Sequence, residues 1–274
     1  MPELPEVETI KNYIAPLLKD QSFAEIEVLN PNLRIPVPDD LAERIEKRQI
    51  QKIERRAKYI TIYLDNDHVL VIHLGMTGKI LAHQSAPDIG KHDHLVFKLQ
   101  NGDYFTFNDV RRFGLVTYLD NSDLNSSKLF SHLGLEPLTE EFNGKHLKKI
   151  SKNSALEIKK FIMDQKYVVG VGNIYASEAL FMSNIHPQRK SNKLSKEDCN
   201  ILVQNIKTIL KQAIASVGST IKDYRLANGE SGYFQHEFKT YGKENNPCKI
   251  CDTPIKKIVQ GGRSTFYCPK CQKN

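Results

Sequence analysis

Four cysteines, Cys248, Cys251, Cys268 and Cys271, fall within the last 27 residues as C-x2-C-x16-C-x2-C. In a chain with no export signal, paired CxxC turns at this separation read as a tetrahedral zinc site rather than two disulfides. All four ligands are protein thiolates, so the one Zn2+ expected is structural and no coordination position is left for a catalytic water. The fifth cysteine, Cys199, lies on an amphipathic pattern and reads as a half-buried apolar residue. At the other end, Pro2 follows Met1. Proline is small enough for an initiator Met to be trimmed, leaving a prolyl secondary amine. An α-amino group titrates near about 8, so a nucleophilic neutral fraction exists at cellular pH.

The charge distribution narrows the partner. Net charge is +7 over 274 residues. Residues 1–131 hold 16 Lys and Arg against 19 Asp and Glu, a net −3, whereas residues 132–274 hold 23 against 13, a net +10. A strongly basic second half is what a polyanion such as nucleic acid requires. With 40% apolar and 26% charged residues the chain has an ordinary globular composition. The longest uninterrupted apolar runs are short, such as Val69–Ile72, far below a bilayer span. Met1-Pro2-Glu3-Leu4-Pro5-Glu6 has neither a basic leader nor an apolar signal core, so a cytoplasmic protein is expected, neither exported nor membrane-bound.

Several elements must position these groups. A helix is predicted from about Glu6 to Lys19, with Pro5 in its first turn, acids at its positive end, and Val7, Ile10, Ile14, Leu17 and Leu18 on one face. A β-rich stretch follows, with strands at Phe23–Leu29, Tyr59–Leu64 and Val69–Leu74. Leu95–Gln100 and Asp103–Phe107 flank an Asn101-Gly102 turn. From Asn121–Ser127 onward the pattern becomes polar and helical, with a boundary near Ser131. Helices are predicted at Ala155–Asp164, Asn173–Ser183 and Lys196–Ser216. Ser195 and Asp198 cap the last, and Ile201, Leu202, Ile206, Ile209, Leu210 and Ala213 form its stripe. Residues 219–240 read as a mobile loop ahead of the cysteine module. The fold class expected is α+β, a β-sandwich or barrel led by one helix and followed by a helical domain.

Longer motifs make the reading specific. Met1-Pro2-Glu3-Leu4-Pro5-Glu6-Val7-Glu8-Thr9, Lys58-Tyr59, His73-Leu74-Gly75-Met76, Lys91-His92-Asp93-His94 and Arg111-Arg112-Phe113-Gly114 occur in order. Gly170-Val171-Gly172-Asn173-Ile174-Tyr175-Ala176-Ser177-Glu178, Tyr233-Phe234-Gln235-His236-Glu237, Tyr241-Gly242 and Gly262-Arg263-Ser264-Thr265-Phe266-Tyr267-Cys268 complete the set. Spanning the whole chain, they resemble the bacterial formamidopyrimidine-DNA glycosylase family, repair enzymes for 8-oxoguanine. The resemblance implies an N-terminal β-sandwich catalytic domain over 1–131 and a helix-two-turn-helix domain with a lesion-recognition loop over 132–239. A zinc-bearing β-hairpin, a zinc finger, is implied over 240–274.

The resemblance also implies roles. A secondary amine attacking a sugar C1′ gives an iminium that acidifies the C2′ hydrogen, so Pro2 would serve both base excision and strand cleavage. Glu3 resembles the acid/base residue. Glu6 resembles a further family position near the site, though at a helix start it equally suits the dipole. Lys58 resembles the lysine that protonates the leaving group in β-elimination, and Arg263 the arginine of δ-elimination, whose guanidinium also suits a bidentate phosphate clamp. Met76, Arg111 and Phe113 resemble the residues that fill the gap left by the extruded nucleotide, an apolar wedge plus an arginine. Val110 stands where the family usually has Pro, which predicts a looser turn. Asn173, at a helix start behind Gly170-Val171-Gly172, suits a phosphate. His73, His92 and Lys159 match positions that contact DNA or the lesion. Taken singly, most of these residues would pass as packing or surface groups.

The function expected is therefore a monomeric, bifunctional DNA glycosylase and AP lyase acting on oxidised purines in damaged double-stranded DNA. Endonuclease VIII-like enzymes for oxidised pyrimidines share Pro2, Glu3, Lys58 and the zinc hairpin, but Leu4-Pro5-Glu6-Val7-Glu8-Thr9 departs from their Gly-Pro-Glu opening. A silent zinc-ribbon DNA-binding protein would be expected to have lost Pro2, Glu3 or Lys58.

Overall fold

The computed structural model describes residues 2–216 and 237–273. They form two compact units, one built on residues up to 131, the other on 132–215 with those after 236. Most of the predicted 219–240 loop, with Tyr233 to His236, lies outside the described residues.

The first unit opens with α1 (Leu4–Leu18), followed by β1 (Phe23–Val28) and a short α2 (Leu41–Ile45). Seven strands follow: β2 (Ile50–Arg56), β3 (Tyr59–Leu64), β4 (His68–His73), β5 (Lys79–His83), β6 (Asp93–Leu99), β7 (Tyr104–Asn108) and β8 (Leu115–Asp120). They form two four-stranded antiparallel sheets, ordered β1-β6-β7-β5 and β2-β3-β4-β8. Leu95, Phe97 and Phe107 of one sheet meet Ile60, Ile62, Leu70, Ile72 and Val116 of the other in one core. Val7, Ile10, Ile14 and Leu18 of α1 join it. Burial of each such side chain contributes roughly 1.5–3 kcal/mol, so this core fixes the sandwich. Helix α1 starts at Leu4, two residues before the predicted Glu6, with Pro5 where a missing N–H costs nothing.

The second unit contains α3 (Gly144–Ser151), α4 (Ile158–Met163), α5 (Asn173–Met182) and α6 (Lys196–Ala215). It ends in a hairpin of β9 (Lys256–Gln260) and β10 (Arg263–Tyr267). The α6 cap forms as the sequence predicts. Ser195 N–H donates to Asp198 Oδ2 at 2.8 Å, and Asp198 N–H to Ser195 Oγ at 2.9 Å. The stripe differs at one place. Ile201 is exposed, and fully buried Cys199 together with Val203 takes its share of the core face. Residues 199, 202, 203 and 206 follow the helical repeat that 201 breaks. Helix α3, too polar to be read as a helix, is capped by Asn143, whose Oδ1 accepts His146 N–H at 3.0 Å. Among the described residues no helix is long and apolar enough to cross a membrane.

Candidate functional site

Pro2 and Glu3 are buried at the entrance to α1. Glu3 is the N-cap residue, and its N–H donates to Glu6 Oε2 at 2.8 Å. Glu6 is itself buried. Its carboxylate thus helps to fix the helix start. Lys58 sits in the two-residue turn between β2 and β3, after Ala57 at φ +55°, with Arg56 paired to Tyr59. Arg55 fastens this turn to α1. Its Nε donates to Glu8 Oε2 at 2.6 Å and its Nη1 to the Ala57 carbonyl at 2.9 Å. Burial opposes charge on Glu8, but hydrogen bonds from Lys11 and Arg55 prevail and hold the carboxyl below its ordinary range. The turn carrying Lys58 and the helix starting beside Pro2 are thus braced by one guanidinium.

A second group of predicted residues gathers where β4 ends. His73 closes β4, its ring 4.8 Å from Tyr59, which in turn lies 5.0 Å from Phe130. Desolvation, with the nearby charges of Lys58 and Arg34, lowers the His73 pKa to about 4. Its Nδ1 accepts Gly75 N–H at 3.0 Å, which leaves the proton of the neutral ring on Nε2. His73, Gly75, Met76 and Phe113 line one open cavity of about 400 Å³ with Arg34. Gly75 has φ +61°, and a Cβ there would lie 2.4 Å from the Phe113 carbonyl carbon, so only glycine lets the two loops touch.

The Arg111 guanidinium stacks on the Phe113 ring at 4.6 Å. Phe113 is 44% exposed and Val110 53%. The turn around Val110 keeps its own hydrogen bonds without the proline. Arg112 N–H donates to Asp109 O at 3.3 Å and Arg111 N–H to Asp109 Oδ1 at 3.2 Å, closing it by hydrogen bonds. His92 is partly exposed just before β6, and its carbonyl accepts Asp109 N–H at 2.9 Å. Asp109 carried no signal in the sequence beyond its place next to the Arg-Arg-Phe-Gly motif.

Within the second unit Lys159, Asn173 and Arg263 come together. Lys159 is buried and donates from Nζ to Asn173 Oδ1 and Thr265 Oγ1, both at 2.6 Å. Asn173, first residue of α5, donates from Nδ2 to Ser264 O at 2.9 Å. Arg263 follows the Gly261-Gly262 turn, where positive φ of 56° and 74° suits a tight hairpin. It shares a cavity of about 190 Å³ with Lys159, Lys160 and Gln260. Glu178, deep in α5, accepts N–H groups from Lys239, Thr240 and Tyr241 at 2.9, 3.0 and 2.7 Å. Burial raises its pKa against the lowering effect of those bonds. No local spacing marks such a clamp.

The sulfurs of Cys248, Cys251, Cys268 and Cys271 all lie within 4.8 Å of one another. Neighbouring pairs are at 3.3 Å (Cys251–Cys271), 3.5 Å (Cys251–Cys268) and 3.9 Å (Cys248–Cys271). Four ligands about 2.3 Å from zinc would stand about 3.8 Å apart in a tetrahedron, so the donor set fits a structural zinc site. Cys248 and Cys268 pack with Phe181, Ile255 and Phe266, joining the site to α5 and the hairpin.

Comparison with known proteins covers the whole chain. Family models match as the formamidopyrimidine-DNA glycosylase N-terminal domain over residues 1–116 and its H2TH domain over 133–225. A zinc finger found in FPG and IleRS matches over 245–274. Proteins named formamidopyrimidine-DNA glycosylase from Wolbachia sp. subsp. Brugia malayi and Marinobacter nauticus are 43% and 45% identical. They cover 99% and 100% of this chain and 100% of their own lengths. A Lactococcus lactis FPG mutant in complex with Fapy-dG containing DNA superposes with a TM-score of 0.93 at 33% identity, covering 100% of both chains. A MutM complex with carbocyclic 8-oxo-G containing DNA gives 0.92 at 33%, again covering 100% of both.

Two outcomes follow from this geometry. His73 is neutral when folded and regains an ordinary pKa near about 6.5 when unfolded, so the unfolded chain binds more protons between those values. Its contribution is present above pH 6.5 and lost as pH falls towards 4. Urea denaturation at pH 6.5 and 4.5 should differ by about 1–2 kcal/mol more in the parent than in His73→Gln. The zinc site should hold one metal per chain, released stoichiometrically on thiol modification. Cys248→Ala and Cys268→Ala should each lose the metal and melt at lower temperature, read by metal analysis and calorimetry.

Proposed function

The chain belongs to the formamidopyrimidine-DNA glycosylase family, and on that premise we propose that it is a bifunctional DNA glycosylase and AP lyase for oxidised purines, 8-oxoguanine and formamidopyrimidines. The observation that carries this reading is the full-length match to enzymes caught on lesion-bearing DNA. The working division is residues 1–131 for chemistry, 132–239 for holding DNA and 240–274 for the zinc finger. The protein acts on damaged duplex DNA as a cytosolic monomer.

In this reading the Pro2 nitrogen bonds to C1′ as the C1′–N9 bond breaks. That bond's electron pair leaves with the base, which takes up a proton, and the Pro2 nitrogen gives up its own proton. The C1′–O4′ bond then opens towards O4′, which is protonated, and leaves an iminium. Loss of a C2′ proton expels the 3′ phosphate, a second proton loss expels the 5′ phosphate, and water frees Pro2. Glu3 handles protons at the sugar, and its place at the buried entrance of α1 supports this. Lys58 supplies the proton to the leaving group. The neutral His73, with its proton on Nε2, offers a hydrogen bond to the nucleotide, and His92 meets the backbone. Met76, Arg111 and Phe113 enter the stack where the nucleotide leaves it, and the exposure of Arg111 and Phe113 beside a half-buried Met76 supports that role. Arg263, Asn173 at the start of α5 and the Lys159 ammonium beneath them form a phosphate cradle of one sign. The zinc site holds the hairpin that presents Arg263.

Borohydride trapping on an 8-oxoguanine duplex tests the reading. A covalent adduct should form through Pro2, and a chain with any residue ahead of Pro2 should bind the duplex yet trap nothing, since an amide cannot become an iminium. Full strand cleavage by such a chain would sink the assignment. The two cations separate by substitution. Lys58→Arg keeps charge but not a useful proton-transfer pKa, so turnover should fall by roughly 10²–10⁴-fold with binding retained. Arg263→Lys loses the bidentate fork but keeps the charge, so affinity should fall first while its salt dependence stays close to the parent's. Single-turnover excision and salt-dependent affinity read both.

A further inference from the structure

Asp109 is fully buried, and every polar atom it has is spent inside the protein. Oδ1 accepts the Thr77 hydroxyl at 2.5 Å and Arg111 N–H at 3.2 Å, and Oδ2 accepts Gly114 N–H at 2.7 Å. Its carbonyl accepts His94 Nε2–H at 2.8 Å and Arg112 N–H at 3.3 Å, while its own N–H goes to His92 O. Thr77 Oγ1 in turn accepts Arg111 N–H at 3.1 Å. One carboxylate thus joins the loop of Met76 to the loop of Arg111 and Phe113.

We infer that Asp109, with Thr77, is a positioning residue for lesion extrusion: the pair locks the two wedge loops together before DNA arrives. The inference rests on the reading of Met76, Arg111 and Phe113 as the wedge. An apolar tip exposed to water has few packing partners, here the Arg111 guanidinium on the Phe113 ring, so a stiff tip needs a brace behind it. A carboxylate is suited to that task because it can gather several N–H and O–H groups from separate loops at once. A tip already ordered loses less conformational entropy when it enters the base stack, which leaves more binding energy for unstacking. The contact of Gly75 with the Phe113 backbone brings the loops together, and the Asp109 bonds set their register.

The test uses full-length Asp109→Asn, Thr77→Val, Thr77→Ser and Phe113→Ala. Stopped-flow fluorescence of 2-aminopurine beside the lesion reports extrusion, and single-turnover excision reports chemistry. On 8-oxoguanine paired with cytosine, Asp109→Asn should slow both by about tenfold or more, the scale of one lost hydrogen bond to a charged group. Thr77→Val should slow them less, and Thr77→Ser should restore them. On a duplex whose lesion faces a missing nucleotide, and so needs little unstacking, Asp109→Asn should excise within about twofold of the parent. Equal losses on both duplexes would overturn the inference by placing Asp109 in the chemistry or in folding alone. Parental extrusion in Asp109→Asn would overturn it too, and if that variant does not fold, Thr77→Val decides on the same two duplexes. Phe113→Ala separates the premise. If it leaves extrusion unchanged the wedge reading fails, whereas loss in Phe113→Ala with none in Asp109→Asn removes only the brace.

Discussion

The first N–H groups of a helix have no intrahelical partner, and burying that end among apolar side chains is costly unless other groups meet them. The first unit confronts this at α1, whose opening residues Pro2 to Val7 are all buried. Pro5 removes one donor outright, and Glu6 turns back to take Glu3 N–H. The acid also lies at the positive end of the helix. Chain ends are ordinarily where order is weakest. A proposed nucleophile in such a place needs a helix start held this firmly, and the Glu8–Arg55–Ala57 bridge extends the hold to the turn of Lys58. The geometry proposed for excision depends on that buried helix start.

A site assembled for an anionic substrate collects cations, and repulsion among them must be limited. His73 shows how the fold handles it. Desolvation and the neighbouring Lys58 and Arg34 keep the imidazole neutral, so it adds a donor without adding charge. Asp109 works in the opposite sense. It places a negative group behind Arg111 and Gly114 but spends it on backbone N–H groups and a hydroxyl, so the outward-facing charge remains Arg111.

What was legible in the sequence follows from how local each signal is. The zinc site was readable because four cysteines carry its geometry in their spacing. Strands β3, β4, β6 and β7 were readable because each is flanked on both sides in its sheet and is rich in buried β-branched or aromatic residues. The three strands missed, β2, β5 and β8, are sheet edges, where polar residues such as Lys52, Glu54 and Lys79 are tolerated and alternation blurs, whereas the fourth edge, β1, was readable from Phe23, Ile26 and Val28. The proposed site residues were legible only through whole motifs. The groups that hold them were not, because Arg55 meets Glu8, Asp109 meets Thr77 and Glu178 meets Thr240 across long stretches of chain.

Lys159 illustrates the same division within the second unit. A lysine in α4 ordinarily reads as a solvated face, yet this one is buried with its ammonium on Asn173 and Thr265. Burying an ammonium is costly unless its donors are taken up. The acceptors here come from the start of α5 and from β10, the strand that begins with Arg263. The hydrogen bonds that make burial tolerable therefore also fasten the zinc hairpin to the helix start. Cys268 and Phe266 secure the other end of β10 against Phe181 in the same α5. The hairpin is thus attached at two points along one helix, which fixes the backbone that carries Arg263. A fixed backbone suits the clamp proposed for Arg263, because a guanidinium fork gains over a point charge only when its two bonds form together.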